Sequence, residues 1–408
     1  MSTALKLALL GLLWPHTSAS GDRPSDFSDD DWAILDAMAR QHRLQPLLHA
    51  AEAAAGGAWR APGALRARWQ AVHRNAAMAS LRQAATLVEI EGVLARHAIR
   101  ATLLKGGAFL WRGWDGPALR PMRDIDLLVD EADAHRVQAM LREAGLVPAV
   151  LPVADHGKHL PPLVSRSGTC IELHLHVLDM GDADQRGREQ RFRAALVAGA
   201  EPAGLPFLKA DAIDATAPTD TLLHIVAHSV LDHQFNNGPL LLYDIALLVR
   251  NGAIDWARFW HVAGACDMLR AAQLGLALAQ YWSPDLDIEW DAAAPESLAD
   301  PLLRGASLMM LVDSERRSEL GWLGRAIRPS LAKTLVQVRR AFARGQAHDP
   351  AAPPRTGAPT AAWSKVLRHL AVATRAEDRA HVAHCVRVGA WLQTPMHRNA
   401  PGKDRDAE

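Results

Sequence analysis

Two aspartates carry the clearest chemistry in this 408-residue chain: Asp124 and Asp126, in the run Arg123-Asp124-Ile125-Asp126-Leu127-Leu128-Val129. Charged and apolar residues alternate there as in a strand, so the two acids share one face while Ile125 and Leu127 point the other way. Carboxylates one strand repeat apart repel each other unless a cation sits between them. That pattern predicts a divalent-metal site. Upstream, Leu103-Leu104-Lys105-Gly106-Gly107 reads as a short apolar strand running into a Gly-Gly turn. A turn of this kind can offer backbone N–H groups to a phosphate chain, with the Lys105 ammonium beside it.

A third acid lies in Thr169-Cys170-Ile171-Glu172-Leu173-His174-Leu175-His176. Alternation puts Cys170, Glu172, His174 and His176 on one face, and an acid buried there needs partners. The cations available for phosphate are Lys105, Arg120 and Arg123, in that order of preference. Arg123 precedes Asp124 by one residue, and strand geometry would turn it away from the metal. His224, His228 and Asp232 form an i, i+4, i+8 stripe, a spacing that can bind zinc. With 19 histidines in the chain such pairs also arise by chance, and a polar helix face lining the cleft is the preferred reading.

These residues resemble the nucleotidyltransferase superfamily, whose hallmark is a Gly-Gly or Gly-Ser turn followed downstream by Asp-x-Asp. Sixteen residues separate Gly107 from Asp124, and Lys105 stands where the wider superfamily has an apolar residue. Both features are similar to a narrower bacterial family of nucleotidyltransferase-like proteins. Its later motifs are matched by Ile171-Glu172-Leu173-His174, by the helix from Leu222 to His233, and by Asp244. The resemblance covers roughly residues 30 to 285. It implies that Asp124, Asp126 and Glu172 form the metal-binding catalytic triad. It further implies that Lys105, Gly106, Gly107, Arg120, Arg123, His174 and His228 border the nucleotide. The implied cofactor is Mg²⁺ or Mn²⁺, with a nucleoside triphosphate as substrate and an unidentified hydroxyl, on a small molecule or a protein, as acceptor.

Positioning those groups falls to an α+β core between helical lobes. Ser28 is a candidate N-cap for a helix from Asp29 to Ala55, stopped by Gly56-Gly57, and apolar residues at helical spacing run from Pro62 to His97. On the apolar side of that second helix fall Leu65, Trp69, Val72, Ala76, Leu81, Leu87, Ile90 and Leu94. The expected core continues with a strand at 102–104, a helix at 108–114, a strand at 125–129, a helix at 133–144, a strand at 146–151 and a strand at 169–177. Leu205-Pro206-Phe207-Leu208 suits an edge strand, where proline is tolerated. Helices then follow at 220–232, 240–250, 256–266 and 268–282, with two more between 300 and 345 and a last one at 363–392. The expected organisation is a helical N-terminal lobe at 1–98, a nucleotidyltransferase-like mixed β-sheet core at 99–210 and a helical lobe at 211–348. A Pro/Ala-rich linker, terminal helix and polar tail fill 349–408.

Lys+Arg and Asp+Glu both number 45, so net charge gives no reason to expect long nucleic acid as a partner. The three cysteines are far apart and lack metal spacing, which suits a reducing compartment. Ala4 to Trp14 is apolar and Ser18-Ala19-Ser20 mimics a signal-peptidase site, yet the run is short and lacks a basic start. A short amphipathic helix and cytoplasmic residence are expected, and no run is long enough for a membrane span. Transfer of a nucleoside monophosphate is the expected function. The alternatives are a catalytically degenerate nucleotide-binding or regulatory module and a partner-interaction protein on the same fold.

Overall fold

The computed structural model describes residues 3–14, residues 26–312 apart from 115, 117, 150–156, 203, 206–209, 291–292 and 296–297, and residues 376–394. Two compact units are present, Met1–Arg317 and Ser318–Glu408. The described part of the second is one helix, Ala376–Gln393.

The first unit opens with α1 (Thr3–Leu13), α2 (Asp29–Gln41), α3 (Gln45–Ala54) and α4 (Gly63–Arg96). Ser28 caps α2 through a reciprocal capping box with Asp31, which satisfies donors left open at the helix start. The single helix expected from Asp29 to Ala55 is in fact two. Pro46 sits in the first turn of α3, where its missing N–H costs nothing; inside a longer helix it would leave the His42 carbonyl without a donor. The break is closed by Arg43, at φ 60, and by a bond from Leu44 N to Ala39 O of 2.7 Å. Along α4 the predicted apolar side holds at Leu65, Trp69, Leu87, Ile90 and Leu94, but Leu81 is 63% exposed. Buried Ser80 and Gln83 take the inward places near it.

A seven-stranded sheet follows, in the order β3-β4-β5-β2-β1-β7-β6. Its strands are β1 (Ala101–Leu103), β2 (Asp124–Leu128), β3 (Val147–Pro148), β4 (Leu163–Val164), β5 (Cys170–His174), β6 (Glu201–Pro202) and β7 (Ile213–Ala215). β2 pairs antiparallel with β1 and parallel with β5, while β1 and β7 run parallel. One face packs on α4 and α6 (Ala134–Glu143) through a core that includes Ile90, Leu94, Leu103, Ile125, Leu127, Val137 and Ile171. Burial of this kind contributes about 1.5–3 kcal/mol per large apolar side chain. The buried Glu91 of α4 fixes β7, accepting the N–H groups of Asp211, Ala212 and Ile213 at 2.7, 2.8 and 2.8 Å.

Several expectations shift. The helix after β1, α5, is Lys105–Trp111, so Gly106 and Gly107 belong to its first turn. β3 is two residues long and the strand expected at 169–177 spans only Cys170–His174; Leu151 and residues 206–208 lie outside the described residues. A helix, α7 (Ala183–Ala198), stands where none was expected, opened by a capping box between Asp182 and Gln185. The helical lobe comprises α8 (Pro218–Ala227), a π-helical turn at His228–Asp232, α9 (Leu240–Asn251), α10 (Trp256–Ala265), α11 (Leu269–Trp282) and α12 (Asp300–Met310). The remainder of 313–375, including the proposed linker, lies outside the described residues. Among the described residues no helix is long and apolar enough to cross a membrane.

Candidate active site

The pairing of β2 with β5 builds the centre of the site. Parallel register sets Asp124 opposite Cys170 and Asp126 opposite Glu172. The face carrying Ile125, Leu127, Ile171 and Leu173 is buried in the core, so the acids must emerge on the other face. His174 Nε2 lies 2.7 Å from Asp126 Oδ1 and 3.4 Å from Glu172 Oε2. Ligand atoms of Asp126, Glu172 and His174 all fall within 4.8 Å of one another. Lys105 Nζ stands 3.2 Å from Asp126 Oδ2, and His159 Nε2 stands 3.8 Å from Glu172 Oε2.

This group opens into a cavity of about 440 Å³. Asp124, Arg123, Arg43, Gly106 and Arg120 line it. Lys158, Asp179, His228 and His233 line it as well. There Lys158 Nζ donates to Asp232 Oδ2 at 2.8 Å, His228 Nδ1 is 3.0 Å from the same oxygen, and His233 Nε2 is 3.0 Å from His228 Nε2. Arg120 grips Asp244 with two bonds, Nε to Oδ1 at 2.5 Å and Nη2 to Oδ2 at 2.8 Å, and its guanidinium covers the Phe109 ring at 5.3 Å.

With this geometry in view, a protein family described as an uncharacterised nucleotidyltransferase matches residues 28–284, more than half of the chain. The chain belongs to this nucleotidyltransferase family. No curated protein and no solved structure matches it. The matched span contains the whole sheet, the residues lining the cavity and the α2–α3 corner.

Electrostatics separate the acids of this nucleotidyltransferase-family site. Burial, with the charges of Asp126 and Glu172, pushes the Asp124 carboxyl up to about 6. Asp126 moves the other way: burial opposes its charge, but Lys105 and His174 outweigh that and hold it well below the usual range. The hydrogen bond from His174 lowers Glu172. His174 is raised, because Asp126 and Glu172 outweigh the burial that would neutralise it. Its Nδ1 faces the His176 carbonyl at 3.1 Å and so donates there, which turns Nε2 toward the carboxylates. That is how histidines present Nε2 to a metal.

The other sequence candidates fall as follows. Gly107 faces away from the cavity: an added Cβ would meet Leu103 Cδ2 at 2.9 Å, so this glycine serves the packing of α5 on the sheet. A Cβ on Gly106 would collide with the Arg120 guanidinium, so Gly106 makes room for that side chain. Arg123 precedes β2 and is exposed, so strand alternation does not turn it away and it lines the cavity. The His224–His228–Asp232 stripe is split. His224 is fully buried with Nε2 on the Val177 carbonyl at 3.1 Å, while His228 lines the cavity and Asp232 stands behind it at 3.0 Å from Nδ1. Burial holds both histidines well below the ordinary imidazole range, which keeps them neutral.

Arg43, Lys158 and His159 were not singled out by the sequence. Lys158 and His159 precede β4 in a stretch with no periodic pattern, and an isolated bridge from His159 to His174 ties them to β5. The one available signal for Arg43 was Pro46, which places the helix break where it sits at the cavity.

Proposed function

We propose that the protein is a metal-dependent nucleotidyltransferase, moving a nucleoside monophosphate from a nucleoside triphosphate to a hydroxyl acceptor. The observation that carries this reading is the Asp126–Glu172–His174 cluster, set in one cavity of a chain from a nucleotidyltransferase family. The donor set fits Mg²⁺ or Mn²⁺. Two carboxylates and Asp124 concentrate negative charge, and the Lys105 ammonium and a His174 proton now sit where a cation belongs. Asp124, Asp126 and Glu172 would hold the ion, with His174 Nε2 beside them. When bound, such an ion supplies charge neutralisation at the transferred phosphate and acidifies an acceptor hydroxyl.

The chain's own residues do the rest. His174 and Lys105 fix the rotamer of Asp126 through both of its oxygens. The Glu172 side chain is 22% exposed against 10% for Asp126, so Glu172 faces the open side from which an acceptor arrives. In the transfer, the acceptor oxygen bonds to the α-phosphorus while the α–β bridging P–O bond breaks. Pyrophosphate leaves with the bonding electron pair, and Glu172 is placed to take the acceptor's proton. The catalytic unit in this reading is the sheet between Ala101 and Ala215 with its bordering helices.

The test is pyrophosphate release from each of the four ribonucleoside triphosphates, with Mg²⁺ or Mn²⁺, alongside thermal melting with the same ligands. Metal-dependent stabilisation by at least one triphosphate, with pyrophosphate release once an acceptor is supplied, is the expected result. A protein that shows neither would have to be read as a module for partner interaction.

A further inference from the structure

We propose that Arg43 and Arg123 form a site for the polyphosphate tail of the nucleotide, so that the N-terminal helices supply part of the substrate grip. The inference rests on the nucleotidyltransferase reading above and adds the β- and γ-phosphate partners to it. Arg43 sits in the corner between α2 and α3 at φ 60, a left-handed conformation uncommon for a residue other than glycine or asparagine. Its side chain crosses to the loop before β2, where Nη1 donates to the Pro121 carbonyl at 3.0 Å. That loop also carries Arg120 and Arg123, and all three guanidinium groups line the same cavity.

Their partners differ. Arg120 is neutralised by the two-bond fork to Asp244. Among the described residues no carboxylate lies within 4.0 Å of the Arg43 or Arg123 guanidinium, whereas every other cation of the cavity has one: Lys105 has Asp126 and Lys158 has Asp232. Burial and repulsion from Arg123 and Arg120 bring Arg43 down to about 10, so it remains charged at neutral pH. Asp124 and Asp244 act on Arg43 only from beyond ion-pair distance, and cations gathered without a contacting counter-charge cost free energy unless an anion visits. The same cavity holds Asp124, Asp126 and Glu172, which suit a divalent ion. An anion carrying its own cation, and long enough to reach the arginines, satisfies both sets of charges. A metal-bound polyphosphate has that chemistry, and guanidinium forks match its oxygens.

Titration calorimetry with inorganic tripolyphosphate, the preferred nucleoside triphosphate and its monophosphate, all with Mg²⁺, tests this on the full-length protein. The variants are Arg43→Gly, which suits the left-handed backbone and so should keep the melting temperature, and the exposed Arg123→Gln. Each should weaken tripolyphosphate and triphosphate binding by about tenfold or more, the scale of one charge-assisted contact, and leave monophosphate binding unchanged. Equal losses for mono- and triphosphate, unchanged affinity for all three ligands, or a wild type that ignores tripolyphosphate would each overturn the proposal. A wild type that binds tripolyphosphate through these arginines but no nucleotide would uphold the anion site and sink the nucleotide reading. A wild type that binds and turns over the triphosphate as well as both variants do would have the opposite meaning.

Discussion

Asp36, Glu91 and Asp124 are all carboxylates with little access to water, but the first two belong to the scaffold and the third to the cavity. Asp36, between α2 and its neighbours, accepts from Gln45 Nε2 at 2.7 Å, Trp69 Nε1 at 2.8 Å and Arg68 Nη1 at 2.6 Å. Glu91 accepts three backbone N–H groups. Asp124 has no described side-chain donor of this kind and instead stands near Asp126 and Glu172, whose charges help push it up to about 6. A buried carboxylate is stable when its lone pairs are filled, and costly when they are not. The scaffold acids are complete within the chain, whereas in the proposed function the cavity acids take a cation from outside. Asp126 stands between the two classes, with Lys105 on one oxygen and His174 on the other.

The largest effect expected from breaking this contrast is at Asp126. Asp126→Asn should lower metal-dependent transfer about a thousandfold, which is roughly 4 kcal/mol of transition-state stabilisation. It should also lower metal-free stability at neutral pH by roughly 1–3 kcal/mol, the scale of a charged hydrogen bond. The sign follows from its depressed pKa: the ionised form stabilises the fold above the unfolded value and that contribution is lost as pH falls through the folded one. Parallel melting and pyrophosphate-release measurements check both halves.

Glu91 should behave in the opposite way. Removing it by Glu91→Ala strands three N–H groups at the start of β7, and a loss of about 3 kcal/mol in unfolding free energy is expected. Calorimetric metal affinity of the folded fraction should stay within a factor of about two of wild type. A Glu91 variant that folds normally but loses metal would erase the distinction drawn between scaffold and cavity acids.

Asp124 sharpens it through pH. With a folded pKa of about 6 against an ordinary 3.8, the folded metal-free protein takes up a proton that the unfolded chain does not hold between those values. Stability therefore falls as pH rises through that window, and above it the ionised Asp124 is a standing penalty. Asp124→Asn should make the metal-free protein more stable at pH 7 by on the order of 1–2 kcal/mol, with the gain vanishing below about pH 4. Added Mn²⁺ should reverse the ranking, since wild type gains stability by mass action and the variant gains less. Denaturant unfolding at several pH values, with and without metal, reads all of this.

How much of this contrast was legible in the sequence differs by region. The acids of β2 and β5 could be read because strand alternation fixes a face from composition alone, and parallel register then brings Asp126 beside Glu172. The helices from α9 to α11 followed their periodicity and caps to within one residue, while the helix expected at 220–232 is α8 continued by the π-helical turn to Asp232. Arg43 was hidden because the apolar spacing of 29–55 runs straight through the helix break, and only Pro46 marks it. The two-residue strands β3, β4 and β6 carry too few side chains for any period, so the width of the sheet had to come from the structure. Leu81 shows the converse: its place in the helical period suits burial, yet no described element covers it.

The smallest effect expected is at Lys105, and it tests whether the ammonium really stands where a cation belongs. Its Nζ lies 3.2 Å from Asp126 Oδ2, and the two side chains are only 15% and 10% exposed. Lys105 also has φ 47, a left-handed conformation that costs a non-glycine residue about 1–2 kcal/mol. Two substitutions separate charge from backbone. Lys105→Met keeps the stem and the strained backbone but deletes the charge, so Asp126 loses one of its two cations and the site becomes one unit more negative. Mn²⁺ alone should then bind about fivefold more tightly, in line with a unit charge a few ångströms away in a partly solvated cleft, about 1 kcal/mol. Metal-free stability should drop by a similar amount. Lys105→Gly removes the same charge but also relieves the backbone, so it should match Lys105→Met in Mn²⁺ affinity while melting higher. Titration of Mn²⁺ by its electron paramagnetic signal, followed by melting of both variants, decides the matter. Unchanged or weaker Mn²⁺ binding in both would mean that Lys105 does not compete for the place of the metal, and that Asp126 belongs with Asp36 and Glu91 among the completed acids.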